Sequence, residues 1–305
     1  MNFFPAIMNQ MLYLFLCILI GLAVAKSHIL PDNAKTVISR LESLVIMPAM
    51  IVNNFANNCS LTNLLNNLDL LLWGLFFLVV QVVLAYIVLP VFCKDEAERG
   101  VYLYSLSVVN FGFMGNSLVA GIYGQEQLFR YLIFSIPSLI FIYSIGVLWL
   151  SPKKNGFSLK SLLNPLFGYM VLGLLLGVFQ VQLPVFVSKT LASLAACYSP
   201  LAMILTGLVI GAYDLKKLLG MRKVYLLTLY RCLLLPVLFF VLTSYFGLPA
   251  EIRLLMAFVV AMPLGLNTIV LPASYGMDAT LGASMAVISN LAGLFLVPLL
   301  LSVFL

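Results

Sequence analysis

Apolar stretches long enough to cross a membrane recur along this chain from end to end, separated only by short breaks. Roughly 30 Å of hydrocarbon takes about 20 residues at 1.5 Å rise each. A backbone in lipid must satisfy its own hydrogen bonds, so runs of this length form helices. With 63% hydrophobic and 9% charged residues, the chain has too little polar surface to coat a soluble globule. The expected fold is all-α and polytopic. About ten spans are read by that length rule, near 5–25, 37–56, 69–92, 100–124, 129–150, 163–181, 188–212, 221–246, 252–275 and 280–303. No connection is long enough for a soluble domain. The first span lacks a basic lead-in and a small-residue cleavage site, so a cleaved signal peptide is not expected. Cys17, Cys59, Cys93, Cys197 and Cys232 are odd in number and scattered, which suits packing rather than disulfides or a metal.

The net charge of +6 is distributed as a membrane orientation signal rather than a nucleic-acid footprint. Lys26, Lys35 and Arg40 follow span one, Lys94 and Arg99 span three, Lys153, Lys154 and Lys160 span five, and Lys216, Lys217, Arg222 and Lys223 span seven. The alternate connections hold only Arg130, Lys189 and Arg253. Odd-numbered connections are therefore expected in the cytoplasm and both termini outside.

A shift of 152 residues aligns the chain with itself: Pro48 falls on Pro200, Gly21-Leu22 on Gly173-Leu174, and Tyr123-Gly124 on Tyr275-Gly276. The halves 1–152 and 153–305 then each hold five spans. Five is odd, so the second half enters the membrane inverted, the arrangement in which many carriers place a site at the midplane.

Both halves are interrupted at matching places. Span four carries NFGFMGNS (Asn110 to Ser117), and span nine carries MPLGLNT (Met262 to Thr268). Pro263 removes a donor and clashes with the preceding turn, while Gly112, Gly115 and Gly265 favour unwinding. Helices broken here would restart near Asn116 and Ser117, and near Asn267 and Thr268. Each start offers unpaired N–H groups and about half a positive charge to the centre. Two such ends make a carboxylate cradle without a fixed charge, and the opposing ends around Asn110 and Ala261 offer carbonyls to a cation. The competing reading is two kinked helices whose asparagines cap the kinks.

NFGFMG (110–115), PLGLNTIVLPASYG (263–276) and IMPAM (46–50) resemble the bacterial branch of the auxin efflux carrier family, over essentially the whole chain. The resemblance implies ten spans as two inverted five-helix repeats, broken spans four and nine crossing at the site, and a scaffold unit moving against a transport unit, as in the related bile-acid/sodium symporter fold. It also implies the cytoplasmic membrane of a bacterium and small organic anions such as malate or malonate. The chain departs from the family pattern at Ser117, where proline is usual, and at Gly265, where alanine is usual.

Pro48, Asn53, Pro200 and Thr206 are further candidates for the cavity wall, against capping or interfacial roles. Arg231 is the one basic residue deep in an expected span, where it either meets an anion or snorkels to the interface. Asp69, Glu98, Glu251 and Asp278 fall at span ends, so no acid is placed at mid-membrane. Coupling to Na+ or to H+ both stay open, no cofactor is expected, and a homodimer is compatible with the chain. The reading favoured is a secondary carrier of small organic anions working by alternating access. A ten-span drug/metabolite-type transporter is the rival within carriers, and a membrane receptor or sensor the rival outside them. An intramembrane enzyme would need clustered catalytic groups, which the peripheral acids and single histidine do not supply.

Overall fold

The computed structural model describes residues 4–31, 33–152 and 165–304. Among these every regular element is helical. They are labelled α1 (Phe4–Ser27), α2 (Ala34–Asn58), α3 (Asp69–Phe92), α4 (Arg99–Ser107), α5 (111–123), α6 (125–149), α7 (Pro165–Val178), α8 (Val185–Gly211), α9 (Arg222–Tyr245), α10 (Ala250–Ala261), α11 (Asn267–Ser274) and α12 (Thr280–Phe304). Single turns at Leu61–Leu65 and Leu215–Leu219 lie in connections. Among the described residues, seven helical stretches are long and apolar enough to cross a membrane. One of them, Arg99–Trp149, has 51 residues and merges α4, α5 and α6. The Tyr131 hydroxyl donates to the Phe111 carbonyl within this stretch. A straight helix would hold those residues about 30 Å apart, so the chain doubles back between them. It does so at Gly124, whose φ of 81° suits a residue without a Cβ. Gly276, 152 residues later, also has positive φ (70°) and lies between α11 and α12.

The outward faces are apolar, as a lipid-facing surface requires. On α12, Phe295, Leu299 and Val303 are exposed at a spacing of four, one stripe of the helix. Polar side chains turn inward, among them Asn54, Gln81, Asn116, Thr206 and Arg231.

Glycines bring backbones together. A Cβ at Gly21 would overlap the Ile204 carbonyl, and one at Gly207 would overlap that of Ile18, so α1 and α8 touch main chain to main chain. In the same way a Cβ at Gly173 of α7 would press on Val52 and Phe55 of α2. A shift of 152 carries Gly21–Ile204 onto Gly173–Val52, and Gly21–Gly207 onto Gly173–Phe55. α2 also packs on α8, so α1, α2, α7 and α8 form one group. α3 packs on α4 and α6, and α9 on α10 and α12, around a second group. The basic residues Lys153, Lys154 and Lys160 lie outside the described residues, as does the chain just beyond the 152/153 boundary between the expected halves.

Candidate functional site

The interruptions in the two polar segments have local causes. A residue before proline is pushed out of the helical region, and Met262, preceding Pro263, is extended at φ −64° and ψ 141°. α10 therefore stops at Ala261, and helix resumes at Asn267. In the first half α4 stops at Ser107, Val108 is extended, and the chain re-enters through a wide π turn at Phe111–Gly115. Peptide groups freed inside a membrane need partners, and here the two interruptions supply them. The Asn110 N–H donates to the Pro263 carbonyl at 2.8 Å, so the irregular segments touch. The Leu264 N–H donates to Ser289 Oγ of α12 at 3.0 Å. Gly293 of α12 leaves the room the Pro263 ring occupies, since a Cβ there would lie 2.6 Å from its Cγ.

Beside this contact lies a cavity of about 110 Å³. Its wall includes Asn110, Phe111, Gly112 and Phe113 from the start of α5, and Gly265, Leu266 and Asn267 from the start of α11. Two helix N-termini, whose first N–H groups have no partner within the helix, thus open on one space. Ser39, Ser43 and Met47 of α2, Tyr104 of α4, Tyr143 of α6 and Leu205 of α8 also line it, and none of its lining among the described residues is charged. Asn267 Nδ2 donates to the Tyr104 hydroxyl at 2.7 Å, which fixes the amide across the cavity. A second cavity of about 360 Å³ is lined by Tyr123, Gln127, Arg130, Tyr131 and Glu251, with Arg130 and Glu251 ion-paired at its rim. Tyr131 lines it while bonding the carbonyl of Phe111, which lines the first. Tyr131 thus links the walls of the two spaces.

Against known families, residues 6–301 match the family described as "Membrane transport protein", the auxin efflux carriers. The chain belongs to the auxin efflux carrier family. A relative in Methanocaldococcus jannaschii, described as "Uncharacterized transporter MJ1031", is 24% identical over 302 residues, covering 96% of this chain and 97% of that one.

In this auxin efflux carrier family member the cavity gathers Asn110, Gly112, Gly265 and Asn267 from the residues singled out in the sequence. The others lie around it. Asn116 and Ser117 sit one turn inside the helix rather than at its start, because the π turn begins at Phe111. Asn116 Nδ2 donates to the Tyr198 hydroxyl at 3.4 Å and borders a narrow space of about 20 Å³ with Ser135. Ser117 Oγ donates to the Phe113 carbonyl, and Thr268 Oγ1 to that of Gly265. Gly115 makes room for the Tyr131 hydroxyl, and Pro263 contributes its carbonyl. An alanine at 265 would meet Asn110 Cα at 3.4 Å, an ordinary contact, so the glycine is not forced by space.

Pro48, Asn53, Pro200 and Thr206 stand away from the 110 Å³ cavity. Thr206 Oγ1 bonds the Ala202 carbonyl, and the Asn53 oxygens accept from Asn57. Arg231 neither snorkels nor lines either cavity. It is 0% exposed, Nη2 donating to Gln81 Oε1 at 2.8 Å and Nε to the Ser105 carbonyl at 3.3 Å near the end of α4. The sequence reading places no acid at mid-membrane and does not weigh Glu42 of α2, which is 0% exposed inside an apolar span. Tyr104, Ser39, Ser43 and Tyr143 went unmarked because hydroxyls on apolar helices carry no spacing signal.

Proposed function

We propose that this protein is a secondary carrier of small organic anions, and that its cargo sits where the starts of α5 and α11 open on the 110 Å³ cavity. The observation that carries the reading is the direct contact of the two interruptions, Asn110 N–H to Pro263 carbonyl, beside a space faced by both helix N-termini. N–H groups and aligned peptide dipoles favour a carboxylate without a basic side chain. The amide of Asn267 and the hydroxyl of Tyr104, which accepts from that amide and keeps its own proton, add neutral donors.

The wider reading is a ten-span chain of two inverted halves. The recurrence of the glycine contacts at a shift of 152, and of positive φ at Gly124 and Gly276, favours that duplication. Alternating access is favoured by the two cavities whose walls Tyr131 links. With odd-numbered connections in the cytoplasm, the smaller cavity faces inward, because its α2 residues Ser39 and Ser43 lie near the first of those connections.

The test is uptake of labelled malate by proteoliposomes. Asn267→Ala removes an amide from the cavity wall and is expected to reduce uptake by about tenfold or more, a loss of one charge-assisted hydrogen bond. Asn53→Ala, away from the cavity, is expected to transport normally. Equal rates in wild type and Asn267→Ala would exclude this cavity as the binding site. Specific malate binding with no flux across the membrane would favour a receptor.

A further inference from the structure

Glu42 is a carboxyl group in a place that offers it nothing. Its neighbours Leu41, Leu44 and Val45 are exposed on the apolar outer surface, while Glu42 turns inward with Ile46, Ala49 and Met50. Neither carboxyl oxygen has a hydrogen-bond partner among the described residues, and no described lysine or arginine pairs with it. An unpaired carboxylate so buried would cost far more than any contact here returns, a cost that binding a proton removes.

Its position is not incidental. Glu42 opens the π turn Glu42–Ile46 ahead of Pro48, an irregularity often found at functional sites. Ser43, the next residue, and Ser39, one turn back, line the cargo cavity. From α8 the titratable group facing it is Tyr198. Tyr198 in turn accepts from Asn116 of α5, and Tyr131 and Tyr143 of α6 share its surroundings. On α2 itself the nearest charges, Arg40 and Lys35, are exposed. Glu42 thus belongs to the α1, α2, α7, α8 group, at the place where it meets the helices carrying the interruptions.

We propose that Glu42 is the proton-binding site that couples anion movement to H+, one proton taken up with each anion and released with it on the other side. This deepens the carrier reading and rests on it. On one face the carboxylate takes a proton to give the neutral acid, which removes a negative charge from beside the cavity and lets the anion bind. On the other face the anion leaves, the acid loses the same proton to water, and the empty carrier returns.

Three readouts test this on the purified full-length chain. Infrared difference spectra at neutral pH should show a protonated-carboxyl carbonyl band in wild type that Glu42→Gln lacks. No ligand enters that comparison, and its absence would overturn the proposal. Malate stays fully ionised from about pH 6.5 to 8.5, so its affinity reports on the protein. In wild type it should weaken toward about tenfold per pH unit once the site begins to empty, the slope of one linked proton. Glu42→Gln, shaped like the neutral acid, should bind malate with little pH dependence and move no protons with it, while Glu42→Asp should restore part of both. In proteoliposomes with a trapped pH dye, wild-type malate influx should acidify the lumen. Proton movement or pH dependence retained in Glu42→Gln would overturn the assignment. Failure of wild type and Glu42→Gln alike to bind malate, with the infrared band present, would instead remove the carrier reading and the coupling with it.

Discussion

Arg231 shows what a single residue has to satisfy in such an interior. Removing Arg231 leaves the Gln81 amide oxygen and the Ser105 carbonyl short of a buried donor, at about 1–3 kcal/mol for each left unsatisfied. Arg231→Ala also opens a cavity, and the expected result is a marked loss of thermal stability in detergent. Arg231→Met together with Gln81→Leu replaces both partners with apolar groups of similar size and should recover most of it. A double mutant no more stable than Arg231→Ala would show that the contact to Ser105 matters on its own. Residue roles were legible where backbone chemistry decides them, as with Pro263 and the extended Met262 before it. They were illegible where helix phase decides them. Hydropathy sees Glu42 as one polar residue near Arg40, and nothing in it reveals that Leu41, Leu44 and Val45 take the outer face and leave the acid inside.

Among elements, the close approaches of α1 with α8 and of α2 with α7 are set by glycine. Gly207→Ala would place a Cβ on the Ile18 carbonyl and the Leu22 nitrogen, and backbone cannot step aside as a side chain can. Overpacking of this kind costs about 1–3 kcal/mol, read as a lower unfolding temperature. Gly168→Ala, with nothing within 4 Å of the added atom, should be neutral or slightly stabilising. Equal melting of the two variants would mean that α1 and α8 can separate without cost. The long apolar helices were plain in the sequence because lipid length fixes them. The start of α5 was not, since a π turn at Phe111–Gly115 carries helix five residues ahead of Asn116, and no proline marks the spot. π turns at Glu42–Ile46 and Tyr230–Leu234 each come just before a proline, Pro48 and Pro236, and each holds a buried ionisable residue. The missing proline donor accounts for the widened turn.

For the whole molecule, the family and the all-helical membrane fold followed from residues alone: the apolar stretches, and the ordered set of IMPAM, NFGFMG and PLGLNTIVLPASYG. Orientation is a property of the entire charge pattern. Reporter fusions at either end, active only outside the cytoplasm, are expected to be active at both; activity at one end alone would contradict an even number of crossings. The glycine contacts bear on movement as well. Packed helices shift past one another by small slides of interleaved side chains, and where main chain rests on main chain no such layer exists to slide. On the carrier reading proposed above, the quartet α1, α2, α7 and α8 would be the stator, and whatever turns would turn on the softer side-chain surfaces that face it, with Glu42 seated at the bearing.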